Sequence, residues 1–479
     1  MKKFIMGAYA LIALLSVSAC SDDKHGEEPL PVGDEWIDPV FAKVLQERGY
    51  IKDAKTVTPL EVAELVFIDV SGEYENHGSI TSVRGLEYFK LLEKIRCSYN
   101  RLIALDVSKN TKLKELSCDG NSLTNLDVSK NSQLTYLFCP DNSLIALDVS
   151  KNSQLKSLYC YHNSLKSLDV SKNSQLKSLY CYSNSLKSLD VSKNSQLTHL
   201  NCSNNSLKTI EVLKNSQLKE FFCDNNSLTT LDVSKNTQLT YLFCFNNSLT
   251  TLDVSKNTQV TDLDCSDNSL TTLDVSKNTQ LTDLDCGSNS LTTLDVSKNS
   301  QLTHLDCRNN SLKTIEVLKN SQLKEFYCSN NSLTTLDVSK NTQLIDFSCS
   351  SNSLTTLDIS KKTQLTYLDC SYNSLKALDL SNDTQLKRLD CCENALTTLN
   401  ISSCTHLTWL NCFSNSLTAL DISKNTQLTY FGCRYNPGEN GKFNVTAWFD
   451  SSSIPTKDFT TNSWSYNDSS VEIEYLKAN

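Results

Sequence analysis

Glycine, proline and methionine are scarce in this chain of 479 residues, which has 12, 7 and 2 of them respectively. The length would ordinarily suggest two or three globular domains. Leu, Asn, Ser, Thr and Asp dominate instead, and that composition points to a repeat array, for which a domain count from length misleads. The net charge is −9 and no basic stripe occurs, which argues against nucleic acid as a partner. No C-x-x-C pair occurs either, so zinc is not expected, and we expect no other cofactor.

The N-terminus has the parts of an export signal. Lys2 and Lys3 precede an apolar run at residues 4–17, and roughly 14 residues are too few to cross a bilayer about 30 Å thick. The stretch Val17-Ser18-Ala19-Cys20 then places small residues before a cysteine, and it resembles the bacterial lipobox. An uncleaved anchor and an ordinary cleaved signal are the alternatives.

The lipobox resemblance implies that residues 1–19 are a lipoprotein signal peptide and that Cys20 carries the lipid. Residues 20–35, rich in Asp, Glu and Pro, are predicted to form an acidic flexible tether. The expected location is the outer membrane or cell surface of a bacterium, with the N-terminal lipid as the membrane contact.

From residue 92 onward the chain repeats every 21 residues with the pattern L-x-x-L-x-C-x-x-N-x-L-x-x-L-D-V-S-K-N, of which one copy begins at Leu113. The repeat cysteines run from Cys97 to Cys433, which is 16 steps of 21 residues and therefore 17 cysteines. Alternation with period two around Leu116 and Cys118 predicts a short strand that points those two side chains inward. Stacked copies predict a parallel sheet.

The pattern is that of a leucine-rich repeat in which Cys replaces one Leu. Over about residues 36 to 436 it resembles the internalin group of bacterial surface proteins. The resemblance implies a solenoid with its parallel sheet on the concave face, a mainly extended and turn-like convex side, and partner binding through the concave sheet. We find no C-terminal cell-wall sorting signal, and expect the lipid to replace that anchor.

The ends of a solenoid expose core and strand edges, so covering segments are expected. Asp38 and Pro39 predict the start of a short helix, and Thr58-Pro59-Leu60-Glu61 predicts a capping box on a second one. We therefore expect a helical cap and irregular first coil at residues 36–91, the solenoid at 92–436 and a small β cap at 437–479. A separate C-terminal domain is the alternative for the last segment.

Twenty cysteines in an exported protein would normally suggest disulfides. The repeat cysteines, however, lie side by side, point the same way and are odd in number, so we expect buried free thiols. Cys392, at an outward strand position, and Cys404, in the opposite turn, break the pattern and are not expected to form a bridge.

Two near-copies of the sequence, residues 197–239 and 302–344, differ at four places, all at outward positions beside a repeat cysteine: Asn201/Asp306, Ser203/Arg308, Phe222/Tyr327 and Asp224/Ser329. The D-V-S-K-N stretch, which apart from its inward valine we expect to be exposed on the far side, stays nearly uniform. Either the outward positions drift freely, or they are diversified to suit a partner. Their clustered aromatic residues favour the second interpretation.

The predicted binding residues form two groups. The aromatic surface comprises Tyr136, Phe138, Tyr159, Tyr161, His162, Tyr180, Tyr182, His199, Phe222, Tyr241, Phe243 and Phe245. Its rings either satisfy one another, anchor a protein or stack on sugars. The acidic surface comprises Asp262, Asp264, Asp283, Asp285 and Asp306. Its mutual repulsion is relieved by solvation, by a basic segment of a partner, or by bound Ca²⁺.

His304 beside Asp306 and Asp283 is the constellation that most resembles a general base with an orienting acid. It lacks a nucleophile and a pocket that excludes water, so we expect no enzyme. The sequence predicts a monomeric, membrane-anchored surface lipoprotein that binds a protein partner through the concave sheet. A glycan-binding lipoprotein and a purely structural envelope protein are the alternatives.

Overall fold

The computed structural model describes residues 36–439, 442–450, 452 and 472–478. The predicted signal peptide, Cys20 and the tether lie outside the described residues. No helix within the described ranges combines the length and the apolar character that crossing a membrane requires.

Two short α-helices and a 3-10 helix cover the N-terminal end: α1 (Pro39–Glu47), α2 (Pro59–Ala63) and the 3-10 helix Leu86–Tyr88. As predicted, Asp38 caps α1, and its side chain accepts hydrogen bonds from the backbone N–H groups of Val40 and Phe41. The predicted capping box of α2 is wrong. Thr58 makes no side-chain cap. The Glu61 side chain contacts the loop between the two helices instead, where its Oε1 accepts the backbone N–H of Lys52 at 3.1 Å.

Each repeat contributes one strand of three residues to a parallel sheet, and one further strand comes from the irregular first coil. The eighteen strands of this sheet are β1 (Phe67–Asp69), β2 (Lys94–Arg96), β3 (Glu115–Ser117), β4 (Tyr136–Phe138), β5 (Ser157–Tyr159), β6 (Ser178–Tyr180), β7 (His199–Asn201), β8 (Glu220–Phe222), β9 (Tyr241–Phe243), β10 (Asp262–Asp264), β11 (Asp283–Asp285), β12 (His304–Asp306), β13 (Glu325–Tyr327), β14 (Asp346–Ser348), β15 (Tyr367–Asp369), β16 (Arg388–Asp390), β17 (Trp409–Asn411) and β19 (Tyr430–Gly432).

The middle residue of each strand and the cysteine that follows it point into one continuous core. Leu116 and Cys118 are fully buried, as are their equivalents along the solenoid. The nineteen described cysteines are free thiols, as predicted, and Cys392 and Cys404 are buried without forming a bridge. Burial raises the pKa of Cys139 to about 12, so such a thiol stays protonated and behaves as a small apolar side chain.

The asparagine three residues after each repeat cysteine forms the first asparagine ladder, from Asn100 to Asn436. Asn121 shows the pattern: its Nδ2 donates to the carbonyls of Cys97 and Cys118, both at 3.0 Å. Its Oδ1 accepts the backbone N–H of Leu102 at 3.0 Å. The ladder satisfies backbone groups that burial between coils removes from water.

A second asparagine ladder runs along the opposite side of the core, where the D-V-S-K-N stretch was expected to be exposed. That expectation is wrong for the asparagine, which is fully buried at residues 110, 131, 152, 173, 194, 215, 236, 257, 278, 299, 320, 341 and 425. Asn299 Nδ2 donates to the carbonyls of Val275 and Asn278, at 3.0 and 2.8 Å. The asparagine therefore joins neighbouring coils, while the lysine before it, such as Lys298, is exposed.

The C-terminal end carries a three-stranded parallel sheet of β18 (Ala419–Asp421), β20 (Lys442–Ala447) and β21 (Glu472–Lys477), with β20 in the middle. Phe443, Val445 and Ala447 of β20 are buried, as their alternation with polar residues predicts. Since β18 belongs to the same coil as β17, the cap extends the solenoid. The predicted leucine-rich-repeat fold, with helical N-terminal and small β C-terminal covers, is confirmed.

Candidate functional site on the sheet face

The sheet face is the surface formed by the outward side chains of the eighteen-stranded sheet. Neighbouring strands pair with a shift of one repeat, so that residues 21 apart lie side by side: Tyr159 opposite Tyr180, and Asp264 opposite Asp285. With strands about 4.8 Å apart, each outward position becomes a column along the solenoid. Clusters that the repeat spacing predicts are therefore real contacts.

Six rings of the aromatic surface form one continuous cluster across β4, β5 and β6. Tyr161 and Tyr182 stack with centroids 4.4 Å apart and planes 8° from parallel. Tyr159 and Tyr180 stack at 5.0 Å and 16°. Phe138 joins them, 5.3 Å from Tyr159. Since each stacked pair covers one face of both its rings, ring edges and hydroxyl groups form a large part of what this cluster offers to a partner. Burial raises the pKa of Tyr180 to about 12, so its hydroxyl remains neutral.

His162 extends this cluster toward the edge of the sheet. Its ring stands perpendicular to those of Tyr161 and Tyr182, at 5.4 and 5.2 Å. Its Nδ1 lies 2.8 Å from Asp141 Oδ1. Both members of this pair are exposed, so the contact orients the imidazole more than it stabilises the fold.

The structure divides the predicted aromatic surface in two, because β7 carries no aromatic ring except His199. His199 lies 2.8 Å from Thr198 Oγ1 and 3.6 Å from Glu220. Beyond it, Phe222 and Phe243 pack at 5.0 Å, with half-buried Phe245 and the exposed Tyr241 beside them. The two halves of the surface are thus separate clusters.

The acidic surface is assembled as predicted, with Asp262 opposite Asp283 and with Asp264, Asp285 and Asp306 side by side. The groups that offset the negative charge differ from one aspartate to the next. The nearly buried Asp306 accepts Nε and Nη2 of Arg308, at 2.9 and 2.5 Å. Asp264 accepts the Ser266 hydroxyl at 2.6 Å.

Asp285 lies between these two carboxylates and, among the described residues, forms no ion pair. It accepts the backbone N–H of Gly287 at 2.9 Å. Burial, and then the charge of Asp306, raise the pKa of Asp285 to about 7. Burial also raises the pKa values of Asp264 and Asp283. Protonation therefore relieves part of the repulsion at neutral pH. In the part of the chain that the structure describes, no three His, Cys, Asp or Glu side chains are grouped to hold a metal ion.

The acidic surface continues into an open groove of about 680 Å³ over β11 to β15, whose lining includes Glu325, Asp346 and Asp369. His304 lies between Asp283 and Glu325 on the two neighbouring strands. Its imidazole pairs with Glu325, which the sequence reasoning did not consider: Nδ1 lies 3.0 Å from Glu325 Oε2.

The four positions that distinguish the two near-copies form coupled contacts. In one copy Arg308 bonds to Asp306, and its guanidinium lies 5.0 Å from the centre of the Tyr327 ring. In the other copy the Ser203 hydroxyl donates to Asp224. Each set compensates the negative charge of its own buried carboxylate.

A further cluster was missed by the sequence reasoning. The C-terminal aromatic surface consists of Tyr367, Arg388, Trp409 and Tyr430, each the first residue of its strand. Trp409 and Tyr430 stack at 3.6 Å and 5°. The Arg388 guanidinium lies 4.4 Å from the Trp409 ring and 5.5 Å from that of Tyr367, while it is also paired with Asp390 at 2.9 Å. The signal was available, since these residues recur every 21 residues in the same column as Tyr136.

Stacked 21-residue coils, a parallel sheet and two asparagine ladders define a leucine-rich-repeat protein. The functional domain of InlJ from Listeria monocytogenes, which includes a cysteine ladder, is 35% identical over 82% of this chain and 83% of that one, with a TM-score of 0.67. The chain belongs to the internalin family of leucine-rich-repeat proteins.

Two other solved structures share the fold alone. An internalin, InlF, from Listeria monocytogenes is 22% identical over 71% of this chain and 98% of its own, with a TM-score of 0.58. The Arabidopsis receptor kinase HAESA, in complex with the peptide hormone IDA and the co-receptor SERK1, is 20% identical over 80% and 76%, with a TM-score of 0.62. No family model and no curated protein matches the sequence.

Proposed function

We propose that this chain is a surface-anchored binding protein whose aromatic surface contacts a protein partner. The coarser function, a protein-interaction scaffold, follows from the fold and the family. The observation that carries the finer proposal is the stacking of Tyr161 on Tyr182 and of Tyr159 on Tyr180. A sugar that stacks on an aromatic residue needs a free ring face, and stacking in pairs removes one face of each of these four rings. The ring edges and hydroxyls suit the mixed apolar and polar groups of a protein.

The acidic surface supports a basic segment in that partner. Asp285 is flanked by two carboxylates and forms no ion pair with any residue that the structure describes. A lysine or arginine brought by a partner would act on it as Arg308 acts on Asp306. Such charge complementarity contributes mainly to the rate and selectivity of association, and salt weakens it. The peptide hormone bound to HAESA is a precedent for a polypeptide ligand on this fold.

Paired arrays test the choice between a protein and a glycan. The mature chain, fluorescently labelled, is applied to an array of extracellular proteins and to a glycan array under the same conditions. We expect saturable binding to a member of the protein array that weakens as salt rises, and no saturable binding to glycans. Saturable binding to glycans alone would establish the glycan-binding alternative, and no binding to either array would favour a structural envelope protein.

Membrane attachment through Cys20 gives a second expected result. Cys20→Ala is expected to move the protein from the membrane fraction to the soluble fraction, because removing the lipid removes the proposed anchor. Fractionation followed by immunoblotting measures the effect. Cys392→Ala is the control, since Cys392 is buried in the solenoid and its loss leaves the anchor intact. A Cys20→Ala protein that stays with the membranes would refute the lipobox proposal.

A further inference from the structure

Each asparagine of the second asparagine ladder is one rung of it, and three consecutive rungs lack asparagine. Lys362, Asp383 and Cys404 stand where asparagine stands at residue 341 before them and at residue 425 after them. All three side chains are fully buried. The ladder resumes at Asn425, whose Nδ2 donates to the carbonyls of Ile401 and Cys404, at 3.0 and 2.8 Å.

None of the three side chains reproduces the two bonds of an asparagine rung. Lys362 Nζ donates to the carbonyl of Val338 at 2.7 Å. Cys404 Sγ lies 3.9 Å from the carbonyl of Leu380, which makes at best a weak bond. Among the described residues, neither carboxylate oxygen of Asp383 has a hydrogen-bond partner.

The chemistry of Asp383 is opposite to what its position requires. An asparagine there would donate to backbone carbonyls, which by the ladder pattern are those of Ile359 and Lys362. An ionised carboxylate can only accept, so it brings negative charge against carbonyl oxygens, away from water. A protonated carboxyl has an O–H group and can donate as asparagine does.

The charged groups around Asp383 do not offset the free energy that burying its ionised carboxylate costs. Lys362 on the preceding rung favours the ionised form, but Asp379 in the same turn opposes it, and the thiol on the following rung is neutral. Asp358 acts mainly on Lys362. Burial outweighs these charges and raises the pKa of Asp383 to about 7.

We propose that the coils joined by Lys362, Asp383 and Cys404 form a proton-controlled weak point of the solenoid, closed while Asp383 is protonated and opening locally as it ionises. The closed coils bind this proton more tightly than the opened segment does, since an exposed aspartate titrates near 3.8. The stability of the segment is therefore greatest below about pH 4, falls as the pH rises toward about 7, and levels off above that value.

The weak point lies directly behind the C-terminal aromatic surface. Rung 362 follows β14 in the chain and rung 404 precedes β17, so the segment between them carries Tyr367 and Arg388 and leads directly into Trp409. Local opening loosens the stack of these three side chains and leaves the aromatic surface of β4 to β6, many coils away, in place. Because each coil contacts only its neighbours, a solenoid can open in one segment while the rest stays folded.

Hydrogen exchange on the full chain at pH 5.5 and pH 8.0, corrected for the intrinsic rate at each pH, tests this proposal. In the wild-type chain, protection of peptides from residues 355–410 is expected to fall by about tenfold or more between the two pH values. Peptides from residues 145–195, where every rung is asparagine and no carboxyl has a raised pKa, are the internal control and should keep their protection. Asp383→Asn restores a donor and is expected to remove the fall.

A matched variant moves the same chemistry into an intact part of the ladder. Asn173→Asp is expected to create a fall in protection around residues 150–195, because Asn173 Nδ2 donates to the Val149 and Asn152 carbonyls at 3.0 and 2.9 Å. The proposal is overturned if residues 355–410 of the wild-type chain show the same pH response as the control peptides. It is also overturned if Asp383→Asn keeps the wild-type response.

Discussion

Simultaneous replacement of Tyr159, Tyr161, Tyr180 and Tyr182 by alanine is expected to weaken partner binding by about 100-fold or more, or about 2.8 kcal/mol. The four residues form the two stacked pairs at the centre of the aromatic surface. Large, half-buried tyrosines that neighbouring rings hold in place bind a partner with little further loss of side-chain freedom, which is why such residues dominate interfaces. Surface plasmon resonance against the partner found on the protein array measures the change.

The core beneath these tyrosines is unaffected by the replacement, because Leu158, Leu179 and the repeat cysteines are buried on the other side of the sheet. We therefore expect the thermal midpoint to fall by only a few degrees. Alanine replacement of four exposed lysines on the same coils, Lys166, Lys172, Lys187 and Lys193, is the matched control and should leave binding within about twofold. A tyrosine variant that binds as tightly as this control would show that the partner contacts another part of the molecule.

The repeat period explains why most of the sheet face could be predicted. Once Leu116 and Cys118 are assigned to the inside of a strand, residues 21 apart must lie side by side, and both predicted surfaces follow. Comparing every outward position at intervals of 21 residues would also have predicted the C-terminal aromatic surface. It would have shown as well that β7 interrupts the aromatic surface. The pairing of Arg308 with Asp306 and Tyr327 depends on side-chain conformations that spacing does not determine.

The second asparagine ladder was beyond the sequence reasoning for a different reason. A polar D-V-S-K-N stretch is usually an exposed turn, and nothing within a single repeat distinguishes Asn299 from Lys298. The distinction arises between coils, where only the asparagine reaches carbonyls of the preceding coil. The capping box failed similarly, because Glu61 finds a donor at Lys52, which is distant in sequence but adjacent in the fold.

This distinction leads to an expected contrast between two neighbouring residues. Asn299→Ala is expected to lower the free energy of unfolding by about 2 kcal/mol or more, since it removes two buried hydrogen bonds and leaves the Val275 and Asn278 carbonyls each without one partner. Lys298→Ala, one residue away but exposed, is expected to change it by no more than about 0.5 kcal/mol. Urea denaturation followed by circular dichroism measures both.

Comparing the Asn299→Ala and Lys298→Ala variants shows whether the asparagine joins buried coils or serves only as a polar turn residue. If the asparagine served only as a turn residue, its loss would resemble that of the lysine, and both variants would unfold near the wild-type midpoint. Because coils cooperate only with their neighbours, the damage from Asn299→Ala should be largest in the adjacent coils. Hydrogen exchange should therefore show reduced protection around residues 275–320 and little change near α1. Equal loss along the whole solenoid would mean that the chain unfolds as one unit and that the ladder acts globally.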